Sequence, residues 1–168
     1  MIHKGVLLTD AEYQLCVEMA KTIQDQYSDM GVETRKVDSH RNDLTINIQG
    51  LAAEYAFCKL FKTKFDSSTS PRSHQNNTDT GDTVLNGLVV DVKQSKYVTA
   101  RLMVPKHQNV PDNPIDIYAL MVGSNKGYVF KGFLAKDDIF KEERYDSKFN
   151  AYIAKQDELK EFYELNFV

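Results

Sequence analysis

Two hydrophobic periods, one near four residues and one near two, divide the chain into a helical opening and a strand-rich remainder. Gly5-Val6-Leu7-Leu8 reads as a short strand or an apolar entry segment. Thr9-Asp10-Ala11-Glu12 has the form of a capping box. Behind it Leu15, Met19, Ile23 and Tyr27 recur at four-residue spacing, with Cys16 and Ala20 beside them and Gly31 as a natural stop. Asn42-Asp43 can cap a second helix running to about Lys62. Its expected buried stripe is Ile48, Leu51, Ala52, Tyr55, Ala56 and Leu60. Glu54 falls off that stripe, on the line of Gly50, Phe57, Cys58 and Phe61. A carboxylate on so apolar a flank needs a partner. Phe65 can open a strand, and Ser67 to Gly81 is polar enough to be a long loop.

The strands that follow carry the chemistry. Asn86-Gly87 between two apolar runs is a strong hairpin signal, because a type I′ turn needs positive φ at both central residues. Counting outward pairs Leu85 with Leu88, Val84 with Val89, Thr83 with Val90, and Asp82 with Asp91. Opposed residues share a face, and side chains repeat every second residue, so Lys93 joins Asp82 and Asp91. Two carboxylates about 5 Å apart repel by roughly 3 kcal/mol at an effective dielectric near 20. A hard divalent cation reverses that sign, since Mg²⁺ takes one or two carboxylates together with water and substrate phosphate. Lys93 then stands beside it as a point charge for phosphate, or orients a water molecule. Ile115 to Val122 is apolar on both parities and predicts a strand covered on both faces. Gly123-Ser124-Asn125-Lys126-Gly127 turns it into a partner strand from Tyr128 to Leu134. Asp137-Asp138 can cap a short helix, and Gln156 to Leu165 suggests a last one.

Asp82, Asp91, Val92 and Lys93 resemble the PD-(D/E)XK nuclease superfamily, whose motif is an Asp, a short hairpin, then Asp or Glu, any residue, and Lys. Many members add a Glu from a preceding helix in a Gly-x-x-x-Glu context, which Gly50 to Glu54 matches. Gly81 stands where the family name has Pro. The resemblance covers residues 42–135 and implies an α/β core, a mixed central β-sheet of about 4–5 strands flanked by helices, restriction-endonuclease-like, in one domain spanning 1–168. It implies Mg²⁺ or Mn²⁺ held by Asp82, Asp91, the Val92 carbonyl and Glu54, directly or through water. It also implies phosphodiester hydrolysis in DNA, with Glu54, Asp82, Asp91 and Lys93 catalytic. Asp79 is a competing motif carboxylate.

The formal net charge is −3, but charge is distributed unevenly. No acid lies between Val92 and Val110, a stretch that holds Lys93, Lys96, Arg101 and Lys106. These cations, with Arg72 and Arg41, are the expected DNA contacts. His40 and His107 lie in polar stretches and read as solvated or as proton carriers. Cys16 and Cys58 read as buried thiols of a reducing, cytoplasmic compartment, and neither their spacing nor that of the histidines suits zinc. No apolar run is long enough for a membrane span. A homodimer would suit an enzyme that cuts both strands. The alternatives are a catalytically inactive nucleic-acid-binding or assembly protein on the same fold, and an ordinary strand pair with a solvated acidic end.

Overall fold

The computed structural model describes residues 5–31, 42–69 and 80–161. In chain order its elements are strand β1 (Gly5–Leu7), helices α1 (Asp10–Asp29) and α2 (Asp43–Phe61), and strands β2 (Thr83–Leu85), β3 (Leu88–Ser95) and β4 (Leu102–Pro105). Then come strands β5 (Ile117–Ser124) and β6 (Gly127–Ala135), the short helix α3 (Lys136–Ile139), and strands β7 (Tyr145–Asp146) and β8 (Ala151–Ala154). A mixed five-stranded sheet has the order β1-β6-β5-β3-β2, with β3 and β5 parallel and the other pairs antiparallel. The fold is therefore α/β with a mixed central sheet and helices against it. A three-stranded sheet, β4-β8-β7, forms a separate layer.

The two hydrophobic periods settle how the layers stack. On β5, Ile117, Ala119 and Met121 meet α2 residues Ala52, Ala53, Ala56 and Phe57. Tyr118, Leu120 and Val122 point the other way, to Leu102 and Val104 of β4, Ile139 of α3, and Tyr152 and Ala154 of β8. The strand is thus covered on both faces, as its unbroken apolar run predicts. Between β3 and β5 the crossover is made by β4 and a single 3₁₀ turn at Lys106–Gln108 rather than by a long helix.

The caps of α1 and α2 are those read from the residues. Thr9 and Glu12 exchange capping-box hydrogen bonds, and the Asn42 side chain accepts from the Leu44 amide at 2.8 Å. Four expectations change. Asp137 and Asp138 lie within α3 rather than capping it, and its N-cap is Ala135 with no side-chain cap. The buried face of α2 is Gln49, Ala52, Ala53, Ala56, Phe57 and Cys58, while Ile48, Leu51, Tyr55 and Leu60 are only partly buried. That helix is pressed by α1 as well as by the sheet, so no single stripe describes it. Phe65 starts no strand; its ring packs on Tyr55 at 4.8 Å from an irregular segment. The described part of the expected last helix is one 3₁₀ turn, Gln156–Glu158, followed by a backbone pairing of Lys160 with Phe133. Gly132 permits that approach, since a Cβ there would lie 2.6 Å from Leu159 Cβ. Among the described residues, no helix is long and apolar enough to cross a membrane.

Candidate active site

The β2–β3 hairpin turns on Asn86 at φ 49° and Gly87 at φ 84°, and its register is the counted one from Leu85–Leu88 to Thr83–Val90. One residue further, the ladder changes. The Asp82 amide donates to the Val90 carbonyl at 2.7 Å, and Asp82 Oδ2 accepts from the Val92 amide at 2.7 Å. The carboxylate takes the place of the next ladder carbonyl. A strand residue's N–H and C=O leave on the same edge, so the Val92 carbonyl also points to the Asp82 side. Gly81 makes this possible. It sits at φ 80°, and a Cβ there would lie 2.5 Å from Val89 Cγ1 and 3.1 Å from Ile115 Cδ1. Proline, fixed near φ −65°, cannot take that conformation, which accounts for glycine where the resembled motif has proline.

Asp91 and Lys93 lie two residues apart on one side of β3. Lys93 Nζ reaches Asp91 Oδ2 at 2.7 Å and lies 5.8 Å from the centre of the Tyr118 ring. The Asp91 side chain is only 4% exposed and that of Lys93 22%. So buried a carboxylate requires charged or hydrogen-bonding partners. A second one is Gln108, whose Nε2 donates to the same Asp91 oxygen at 3.1 Å. Sequence reasoning missed Gln108. The available signal was a glutamine and an asparagine, Gln108 and Asn113, in a turn-rich stretch between apolar strands.

Glu54 is not gathered with this pair. Val90 and Val92 pack toward α2, so the period of two turns Asp91 and Lys93 to the opposite face. Asp91 is in register with Tyr118, which belongs to the core under the small sheet. Glu54 rides on α2, on the helix side. Its charge, like that of Asp82, acts on the Cys58 thiol. Among the described residues, no three His, Cys, Asp or Glu side chains come close enough together to hold a metal ion. Glu54 and Asp91 therefore lie toward opposite faces of the sheet. Burial pushes the Cys16 thiol up to about 12, with the Glu54 charge adding to it, and burial also raises Cys58. Both are thiols rather than thiolates at neutral pH and offer no nucleophile.

The described cations predicted to meet phosphate each lie over an aromatic ring. Lys96 Nζ is 5.1 Å from the centre of Tyr97, the Arg101 guanidinium carbon 5.8 Å from Phe149, and Lys106 Nζ 5.1 Å from Tyr145. Tyr97 is 59% exposed. Arg101 also lines a groove of about 540 Å³ with Arg144, Tyr145 and Lys155, and with the acids Glu143, Asp146 and Glu158. His107 is exposed on the 3₁₀ turn. Arg41, Arg72, His40 and Asp79 lie outside the described residues.

Residues 2–137 match a family described as a family of unknown function (DUF5843). The chain belongs to this family. The family's match takes in both long helices, the hairpin and the sheet through β6, and ends ahead of β7 and β8. No curated protein and no solved structure matches the chain.

Proposed function

We propose that the chain is a metal-dependent nuclease of PD-(D/E)XK type, hydrolysing phosphodiester bonds in DNA. The observation that carries this reading is the 2.7 Å Asp91–Lys93 pair on β3, with the Asp82 carboxylate tied to the residue between them. The donors suit a hard cation: two carboxylates, and a backbone carbonyl on the Asp82 edge of the strand. Asp82, Asp91 and the Val92 carbonyl would hold Mg²⁺ or Mn²⁺. When bound, such an ion lowers the pKa of a coordinated water and offsets charge on phosphate oxygens. Lys93, whose ammonium sits 2.7 Å from Asp91 Oδ2, would hydrogen-bond a water or a phosphate oxygen there. The Tyr118 ring faces the Lys93 ammonium at 5.8 Å. The cations beyond Lys93, from Lys96 to Lys106, would contact the phosphate backbone.

The deciding experiment incubates supercoiled, linear and single-stranded DNA with Mn²⁺, using Asp91→Ala as control. Cleavage by the wild type and none by the variant supports the reading; equal products from both defeat it. A second reading, a DNA-binding protein on this fold without hydrolysis, draws on the separation of Glu54 from Asp91. It predicts a retarded DNA band in Mn²⁺ with the substrate intact.

A further inference from the structure

We infer that Gln108 is a positioning residue for Asp91, an inference that rests on the nuclease reading above. Gln108 is 7% exposed, and its Nε2 and Lys93 Nζ converge on one oxygen, Asp91 Oδ2, at 3.1 and 2.7 Å. The glutamine is itself held from outside β3. Asn113 Nδ2 donates to the Gln108 carbonyl at 2.6 Å and to the Tyr118 hydroxyl at 2.8 Å. Asn113 Oδ1 accepts from the Ile115 amide at 2.8 Å, and Lys136 Nζ donates to the Asn113 carbonyl at 3.0 Å. A lysine stem has four rotatable bonds, so the ion pair alone leaves the carboxylate plane free to rock. A neutral amide fixed by a buried bracket adds a second direction. It does so without adding a positive charge that would compete with a cation for Asp91. The two donors thus set which oxygen of Asp91 faces Lys93 and the orientation in which the carboxylate meets a metal. Partners that orient a ligating carboxylate typically govern metal affinity or activity by 10- to 100-fold.

The test uses the full chain and a Gln108→Met variant, which keeps the bulk and removes the donor. Mn²⁺ affinity is read by calorimetry, and cleavage of linear DNA gives kcat and KM separately. The expected result is Mn²⁺ binding weakened about tenfold or more and kcat reduced, with KM for DNA unchanged. Wild-type affinity and kcat in a folded Gln108→Met protein overturn the inference. A second readout needs no substitution: exchange of the Gln108 side-chain amide in metal-free wild type, by NMR. Strong protection supports the bond to Asp91, and exchange as fast as in a surface glutamine overturns the inference whatever the metal does. A wild type that binds no Mn²⁺ while this amide stays protected removes the nuclease reading, and with it the role given to Gln108.

Discussion

Asp82 has one structural role and one proposed role, and substitution can separate them. Its carboxylate completes the strand ladder by accepting from Val92, and it is also a candidate metal ligand. Asp82→Asn retains an acceptor for the Val92 amide and should cost under about 1 kcal/mol, whereas Asp82→Ala strands a buried donor and should cost about 1–3 kcal/mol. Urea midpoints check this. Both variants should lose Mn²⁺ binding by calorimetry; retained binding in either removes Asp82 from the metal site. Lys93→Ala should keep most of the metal binding yet lower cleavage at least about 100-fold, as loss of a preorganised charge at the reacting centre does. Full activity on plasmid DNA would refute the role given to Lys93. At this scale the sequence was legible where one spacing rule decides. The period of two paired Asp91 with Lys93, but it could not show Gln108, seventeen residues on from Asp91 and delivered by a crossover.

Among elements, the hairpin and α2 show why some registers can be read and others cannot. Asn86 and Gly87 tolerate the positive φ that a two-residue turn demands, so the pairing follows from two residues. Gly81 also sits at positive φ, but its role is tertiary, because Val89 and Ile115 close on it. The two glycines should therefore respond differently to alanine. Gly87→Ala meets no neighbour within 4 Å and should cost about 1 kcal/mol of backbone strain. Gly81→Ala adds a steric clash and should cost at least about 2 kcal/mol. Equal urea midpoints for the two would deny the tight entry at Gly81. On α2, pressure from two sides hid the stripe, and Glu54 rides on that helix. Glu54→Ala is accordingly expected to reduce Mn²⁺ affinity far less than Asp91→Ala does. A matching loss would bring Glu54 back beside the metal.

Over the whole molecule, the last described segment is fastened by charge. Asp138 accepts from Lys160 at 2.9 Å and Lys141 at 3.0 Å, and these lysines hold its carboxyl below the ordinary aspartate value of 3.8. The Lys155 amide and the Arg144 guanidinium do the same for Glu158. A carboxylate lowered in the folded state contributes stability that is complete above its unfolded pKa and is lost as pH falls through the folded value. Acidification below about pH 4 should loosen residues 155–160 before the five-stranded sheet. Amide protection at Lys160 and Phe133 reports it, and because these groups are largely exposed the effect should shrink in high salt. Protection unchanged near pH 3 would show that backbone pairing alone holds the segment. The helices and strands were legible from the two periods, and the mixed central sheet was what the resemblance implied. The small sheet was not, since β7 and β8 are two and four residues long and show no period.

That small sheet bears on where the family's shared portion stops. Tyr152, Ala154 and Ile139 close over Leu102, Val104, Tyr118 and Leu120, yet all three lie past residue 137. A fragment severed there would carry an oily wall of several side chains onto its surface, and in isolation it should clump and light up hydrophobic dyes. Relatives lacking an equivalent flap would have to roof that wall with something of their own.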